Sequence, residues 1–153
     1  MNTTLLVRRL SARDVIPLRT AILRPHAPPN SHTFPDDEAP ESYHAGAFLE
    51  GVLIGVASVF KEEPPFVTMS PAWRLRGMAV GPEARRKGCG RSLVNNCLDY
   101  VESQKGTILW CNGRVSALSF YRDLGFQTYG EEFIVPISGP HYVMWRQVRE
   151  ADL

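Results

Sequence analysis

Val80-Gly81-Pro82-Glu83-Ala84-Arg85-Arg86-Lys87-Gly88-Cys89-Gly90-Arg91-Ser92-Leu93 is the stretch that decides how this chain is read. The residues before it, Trp73 to Val80, have the apolar, β-favouring character of a strand. Those after it place Leu93, Val94, Cys97, Leu98 and Val101 at helical spacing across Gly90 to Lys105, and Gly106 ends that helix. Glycines at 88 and 90 therefore sit where a strand turns into a helix. There they permit a tight turn and let successive N–H groups point into one concavity at the helix N-terminus. Arg85, Arg86, Lys87 and Arg91 put four cations within seven residues. The helix dipole adds about 0.3–1 kcal/mol for an anion bound there. A pyrophosphate suits such a turn; a solvated basic loop is the plainer alternative.

Outward from this run the chain reads as alternating elements. Thr4 to Leu10 is a first strand, and Ser11 with Asp14 three residues on opens a helix that ends near Leu23. Pro25 and the four further prolines up to Pro40 make residues 25–42 irregular and exposed, longer than a connector requires. Tyr43 to Leu49 and Val52 to Lys61 form a hairpin across Glu50-Gly51. Past the strand and helix already described, Thr107 to Cys111 is a short buried strand and Val115 to Leu124 a helix. Gln127 to Val135 and His141 to Val148 are a closing antiparallel pair. The expected fold is mixed α/β (α+β), with a six- to seven-stranded, mostly antiparallel mixed sheet flanked by helices. All of residues 1–153 are expected to form a single domain.

Composition narrows the function classes. A net charge of +1 with 44% apolar and 22% charged residues sets up no overall field for nucleic acid or membrane, so an anion site must be local. The apolar run Leu5-Leu6-Val7 is too short for a signal peptide or membrane span. Cys89, Cys97 and Cys111 are odd in number and lack metal-ligand spacing, which points to buried fillers in a reducing cytoplasm and to no metal.

Two familiar phosphate motifs fail on spacing. A P-loop needs Gly-Lys followed by Ser or Thr, whereas Lys87 precedes Gly88; a dinucleotide fingerprint needs a small residue where Leu93 stands. What remains, Arg85-Arg86-Lys87-Gly88-Cys89-Gly90, resembles the diphosphate loop of the GNAT superfamily of acyl-CoA-dependent N-acyltransferases. The strand Leu75-Arg76-Gly77-Met78-Ala79-Val80 and the later Ala117-Leu118-Ser119-Phe120-Tyr121-Arg122-Asp123-Leu124-Gly125-Phe126 are also similar to the family's, in the right order. Together they cover residues 73–126.

The resemblance implies acetyl-CoA as cosubstrate, with its diphosphate on Arg85, Arg86, Lys87, Gly88, Cys89, Gly90 and Arg91. The pantetheine arm would lie along Met78, Ala79 and Val80, with the Met78 amide donating to the thioester oxygen. It implies Tyr121 as the acid that protonates the departing thiolate, a role suited to a phenol because its reference pKa of about 10 exceeds that of a thiol. The family's asparagine is displaced here: Arg114 stands at its position, leaving Asn112 as either a cofactor ligand or the cap of a turn ending the fifth strand. The general base is open among His44, His141, Glu131, Glu132 and a water relay. Asp36, Asp37, Glu38 and Glu41 are either an attraction for a cationic amine or an exposed acidic loop. The implied activity is transfer of acetyl to a primary amine, on a small molecule, peptide or protein, by direct attack in a ternary complex. A non-catalytic acyl-CoA-binding or regulatory domain and a nucleotide-binding module are the competing readings, and a homodimer is compatible with the sequence.

Overall fold

The computed structural model describes residues 4–66, 68, 70–85 and 88–148. Seven strands, β1 (Leu5–Leu10), β2 (Tyr43–Leu49), β3 (Val52–Lys61), β4 (Ala72–Val80), β5 (Ile108–Arg114), β6 (Gln127–Val135) and β7 (Gly139–Gln147), form one sheet in the order β1-β2-β3-β4-β5-β7-β6. Three helices accompany them, α1 (Ala12–Leu23), α2 (Cys89–Ser103) and α3 (Leu118–Asp123). The chain divides into two compact units, Met1–Lys61 with Leu75–Tyr100, and Glu62–Arg74 with Val101–Leu153.

In the first unit β1 and β3 both run antiparallel to β2, from Leu5↔Leu49 to Leu10↔His44 and from Tyr43↔Val59 to Leu49↔Val52. The β2–β3 turn is tight because Glu50 and Gly51 both take positive φ, 50° and 80°. Helix α1 starts where Ser11 accepts a hydrogen bond from the Asp14 amide at 3.3 Å. Pro17 sits inside it, in the second turn. The apolar side of α1 packs Val15, Leu18, Ile22 and Leu23 around Leu10, Val56 and Ala79. Full burial of a side chain such as Val15 stabilises the unit by about 1.5–3 kcal/mol, and the half-buried Leu18, Ile22 and Leu23 contribute less.

Helix α2 buries Leu93, Val94, Cys97 and Leu98, the face its spacing predicts. It can sit close to β3 because Gly55 lacks a side chain. A Cβ there would lie 2.6 Å from Cys89 Sγ and 3.1 Å from Leu93 Cδ1. That close approach fixes where the N-terminus of α2 begins.

The second unit holds the start of β4 in parallel register with β5 over Ala72↔Ile108, Trp73↔Leu109 and Arg74↔Trp110. Among the described residues that ladder ends at Arg74, although β4 runs on to Val80. Strand β5 pairs antiparallel with β7 along its whole length, Ile108↔Gln147 to Arg114↔His141, and β7 pairs with β6. Ala72, Ile108, Trp110 and Val143 form its core, covered by Phe66, Phe133 and Trp145.

Two expectations change. Strand β5 does not stop at Cys111: Asn112, Gly113 and Arg114 continue it, opposite Val143, Tyr142 and His141. Asn112 is therefore an exposed strand residue, not the cap of a turn. Residues 25–42 are irregular as expected but not simply exposed, since Phe34 and Asp37 are buried.

Candidate acyl-transfer site

Residues Met78, Ala79 and Val80 close β4, with Ala79 buried and its neighbours half-buried. The strand end is held by Gly81 N–H donating to the Ile54 carbonyl at 2.8 Å. A single turn of 3-10 helix at Pro82–Ala84 follows, with Ala84 fully buried and Arg85 exposed. Arg86 and Lys87 lie outside the described residues. Gly88 takes φ +78°, is exposed, and among the described residues would meet nothing within 4 Å if it carried a Cβ. Its requirement is thus conformational. Ser92 N–H donates to the Gly88 carbonyl at 3.0 Å, which starts the α2 ladder and leaves the amides of Cys89, Gly90 and Arg91 without an intrahelical acceptor. Gly90 is half-buried and Arg91 exposed. Cys89 offers only its backbone: its side chain is 1% exposed against β3, and burial raises its thiol above the ordinary range. All these residues belong to the first unit.

Asn112 and Tyr121 belong to the second. Tyr121 is 8% exposed, in α3, with Phe120 and Phe126 edge-on to its ring at 5.0 and 5.4 Å. Gly113 makes room for that ring, because a Cβ there would lie 3.2 Å from Tyr121 Cε2 and 2.9 Å from Met144 Sδ. The helix closes behind it, with Phe126 N–H donating to the Tyr121 carbonyl and Gly125 at φ +88°. The Tyr121 hydroxyl hydrogen-bonds Cys111, and burial first, then that thiol, hold its pKa well above 10. It is a protonated donor throughout the neutral range. Burial pushes the Cys111 thiol up to about 12, so it too stays protonated. Sequence reasoning had assigned Cys111 only to packing and gave no role to Gly113.

The candidate bases separate. His44 is 4% exposed and engaged on both ring nitrogens: Nε2–H donates to the Asp37 carbonyl at 2.8 Å and Nδ1 accepts from Ser58 Oγ at 2.6 Å. Burial lowers its pKa. It is a neutral structural histidine. His141 is also buried, and among the described residues its hydrogen bond is from Nδ1, donating to the Gly139 carbonyl at 2.8 Å. Its neutral form therefore keeps a lone pair on Nε2. Glu131 and Glu132 are exposed where β6 loses register with β7. Of the acidic run, Asp36, Glu38 and Glu41 are exposed, whereas Asp37 is consumed by Arg19, with Oδ2 and Oδ1 accepting from Nη1 and Nη2 at 2.9 and 3.0 Å. Sequence reasoning missed Arg19. Its signal was an arginine one turn beyond Val15, on the apolar face of α1.

Cys89, Cys97 and Cys111 are all free and buried. Among the described residues no cluster of His, Cys, Asp and Glu is arranged to hold a metal ion, and no helix is long and apolar enough to cross a membrane.

Comparison with known proteins bears on this arrangement. A family model described as "Acetyltransferase (GNAT) family" matches residues 13–126. The chain is 34% identical over 143 residues to an uncharacterized N-acetyltransferase, YitI, of Bacillus subtilis, covering 94% of this chain and 96% of that one. Its fold resembles the ribosomal-protein-S18-alanine N-acetyltransferase of Escherichia coli, with TM-score 0.73, 20% identity and 97% of each chain covered. It also resembles an aminoglycoside 6'-N-acetyltransferase solved with coenzyme A, with TM-score 0.73, 14% identity, and 96% and 99% covered.

Proposed function

From the premise that this chain belongs to the GNAT acetyltransferase family, and is a transferase, we propose that it moves the acetyl group of acetyl-CoA to a primary amine by direct attack in a ternary complex. The family uses acetyl-CoA and acts on amine acceptors. We read the two units as parts of one acetyltransferase domain spanning 1–153, because the family match runs through both.

The observation that carries the reading is the N-terminus of α2. A 15-residue helix begins at an exposed, left-handed Gly88, flanked by exposed Arg85 and Arg91 and seated by Gly55. First-turn amides without an intrahelical acceptor, a helix dipole and two cations suit a diphosphate. We assign that group to Arg85, Gly88, Gly90 and Arg91, with the Cys89 amide, and extend the assignment to Arg86 and Lys87 on sequence. The pantetheine arm is assigned to Met78, Ala79 and Val80, which close β4.

Bound acetyl-CoA supplies an activated thioester. The chain's part is to orient that thioester and manage charge and protons. The Met78 N–H donates to the carbonyl oxygen as it gains negative charge; a donor so placed is worth about 3–4 kcal/mol. Tyr121, protonated because it is buried, gives its proton or a hydrogen bond to the leaving sulfur. The amine's proton passes to water or to His141 Nε2. Asn112, exposed on β5, is assigned as a further polar contact to the cofactor. Residues 25–42 are assigned to the acceptor side, and the free, buried thiols favour the cytoplasm. Exposed Leu6 and Ile134 on the outer strands β1 and β6 support pairing of two copies.

Incubating the protein with acetyl-CoA and an amine library, and measuring CoA release, tests the reading. Amine-dependent release is expected. Tight acetyl-CoA binding with no release for any amine would favour an acyl-CoA-binding or regulatory domain.

A further inference from the structure

Four residues from four segments of the first unit, Arg19, Asp37, His44 and Ser58, close a buried ring of polar contacts that the acyl-transfer scheme does not use. Arg19, on α1, is 0% exposed. Its Nη1 donates to Asp37 Oδ2 and to the His32 carbonyl, and its Nη2 to Asp37 Oδ1 and Ser58 Oγ at 3.0 Å. Ser58 Oγ–H donates to His44 Nδ1, and His44 Nε2–H donates to the Asp37 backbone carbonyl. The Phe34 amide donates to Asp37 Oδ2 at 2.7 Å. Every hydroxyl, ring nitrogen and carboxylate oxygen in the circuit is used. One atom is not: Arg19 Nε is buried without a hydrogen-bond partner among the described residues.

That unused edge of the guanidinium faces β4. A Cβ on Gly77 would lie 2.7 Å from Arg19 Nε, 3.0 Å from Phe34 Cε2 and 3.3 Å from Arg19 Cδ. Gly77 takes φ +64°, so β4 is bent out of extended geometry at the residue directly before Met78. The Phe34 ring in turn lies under two guanidinium groups, with Arg19 Cζ 4.2 Å and Arg76 Cζ 3.9 Å from its centroid. The bend at Gly77 is thus walled by a planar cation and an aromatic ring, each pinned by Asp37.

We propose that the Arg19–Asp37 pair is a positioning device: it buttresses the bend at Gly77 and so aims the Met78–Val80 backbone, tying residues 25–42 to the cofactor strand. This rests on reading Met78–Val80 as that strand. A flat, doubly anchored guanidinium suits the task because it holds its plane, whereas lysine or methionine would not. An ion pair kept for stability alone would be replaceable by neutral residues without local effect.

The test is the double variant Arg19→Met with Asp37→Asn, which removes both charges together and keeps an acceptor for the Phe34 amide. Amide hydrogen exchange over residues 77–80 is compared with that over β2, and acetyl-CoA affinity is titrated below the melting temperature. Exchange at 77–80 about tenfold faster, with β2 unchanged and acetyl-CoA binding weakened, is expected whether or not the melting temperature falls. Parent-like exchange and affinity would overturn the proposal, as would faster exchange spread uniformly over the unit. If the double variant does not fold, Arg19→Lys, which keeps a cation beside Asp37 and loses the guanidinium plane, is read in the same two ways. Exchange needs no amine turnover, so loss of the buttress and loss of the acetyltransferase reading are seen separately.

Discussion

Tyr121, the proposed proton donor, is a buried phenol whose hydroxyl meets a thiol, a setting that keeps its proton in place until a stronger base such as a departing thiolate forms beside it. Burial and Cys111 both resist its ionisation. Tyr121→Phe keeps the ring against Phe120 and Phe126 and removes only the hydroxyl. If proton donation limits turnover, kcat falls roughly 10²- to 10⁴-fold with acetyl-CoA affinity little changed. Stopped-time assays with one identified amine and a parallel titration measure both; a phenylalanine variant with the parent's kcat would make Tyr121 a packing residue. His44 gives a stability prediction at the same scale. Its folded pKa lies below the ordinary 6.5, from burial first, so below pH 6.5 the unfolded chain binds protons that the folded chain refuses. Stability is therefore full above pH 6.5 and declines as pH falls toward the depressed folded value. His32, also lowered chiefly by burial and then by Arg24, adds to the same slope. Melting temperatures from pH 7.5 to 5 should drop in the parent and drop less steeply in His44→Gln; parallel curves would remove His44 from the account.

Among the elements, the N-terminus of α2 is the most exposed to test. Arg85→Ala removes a cation from the anion site, and Gly88→Asp places a carboxylate there while forcing a side chain into φ +78°. Both should weaken acetyl-CoA binding by calorimetry while far-UV circular dichroism stays that of the parent. Unchanged affinity in both would remove the diphosphate assignment. The sequence made this element legible because its signals are local: glycines at a turn, cations beside them, apolar residues at helical spacing. The same holds for β2, β3 and β6, whose apolar runs end in turn residues at the limits observed. Strand β5 was less legible past Cys111, since Asn112 and Gly113 are poor strand formers held there by pairing with β7. The ring around Arg19 was not legible. Its partners lie 18 and 39 residues away, and prolines around Phe34 and Asp37 give an exposed-loop signature that says nothing of what is buried. Breaking such a pair from one side costs about 3–5 kcal/mol in buried sites, so it ties the irregular segment to α1.

For the whole molecule, the decisive question is which ligand the folded state prefers, and mass action makes that visible without any acceptor. A ligand that binds only the folded chain stabilises it by RT ln(1 + [L]/Kd), about 2.7 kcal/mol at a hundredfold excess over Kd. For a domain of 153 residues, that corresponds to an upward shift in melting temperature of several degrees. Acetyl-CoA and CoA share the diphosphate and pantetheine, so both should produce it. ATP and NAD carry phosphates that the α2 N-terminus would accept but lack the pantetheine arm assigned to Met78–Val80, so their shifts should be much smaller. The Gly88→Asp variant should lose the acetyl-CoA shift, while its unliganded melting temperature falls only by the strain of a non-glycine residue at φ +78°, about 1–2 kcal/mol, because among the described residues nothing lies within 4 Å of a Cβ there. An ATP or NAD shift equal to that of acetyl-CoA would mean the site reads phosphate alone, and would return the nucleotide-binding reading to first place.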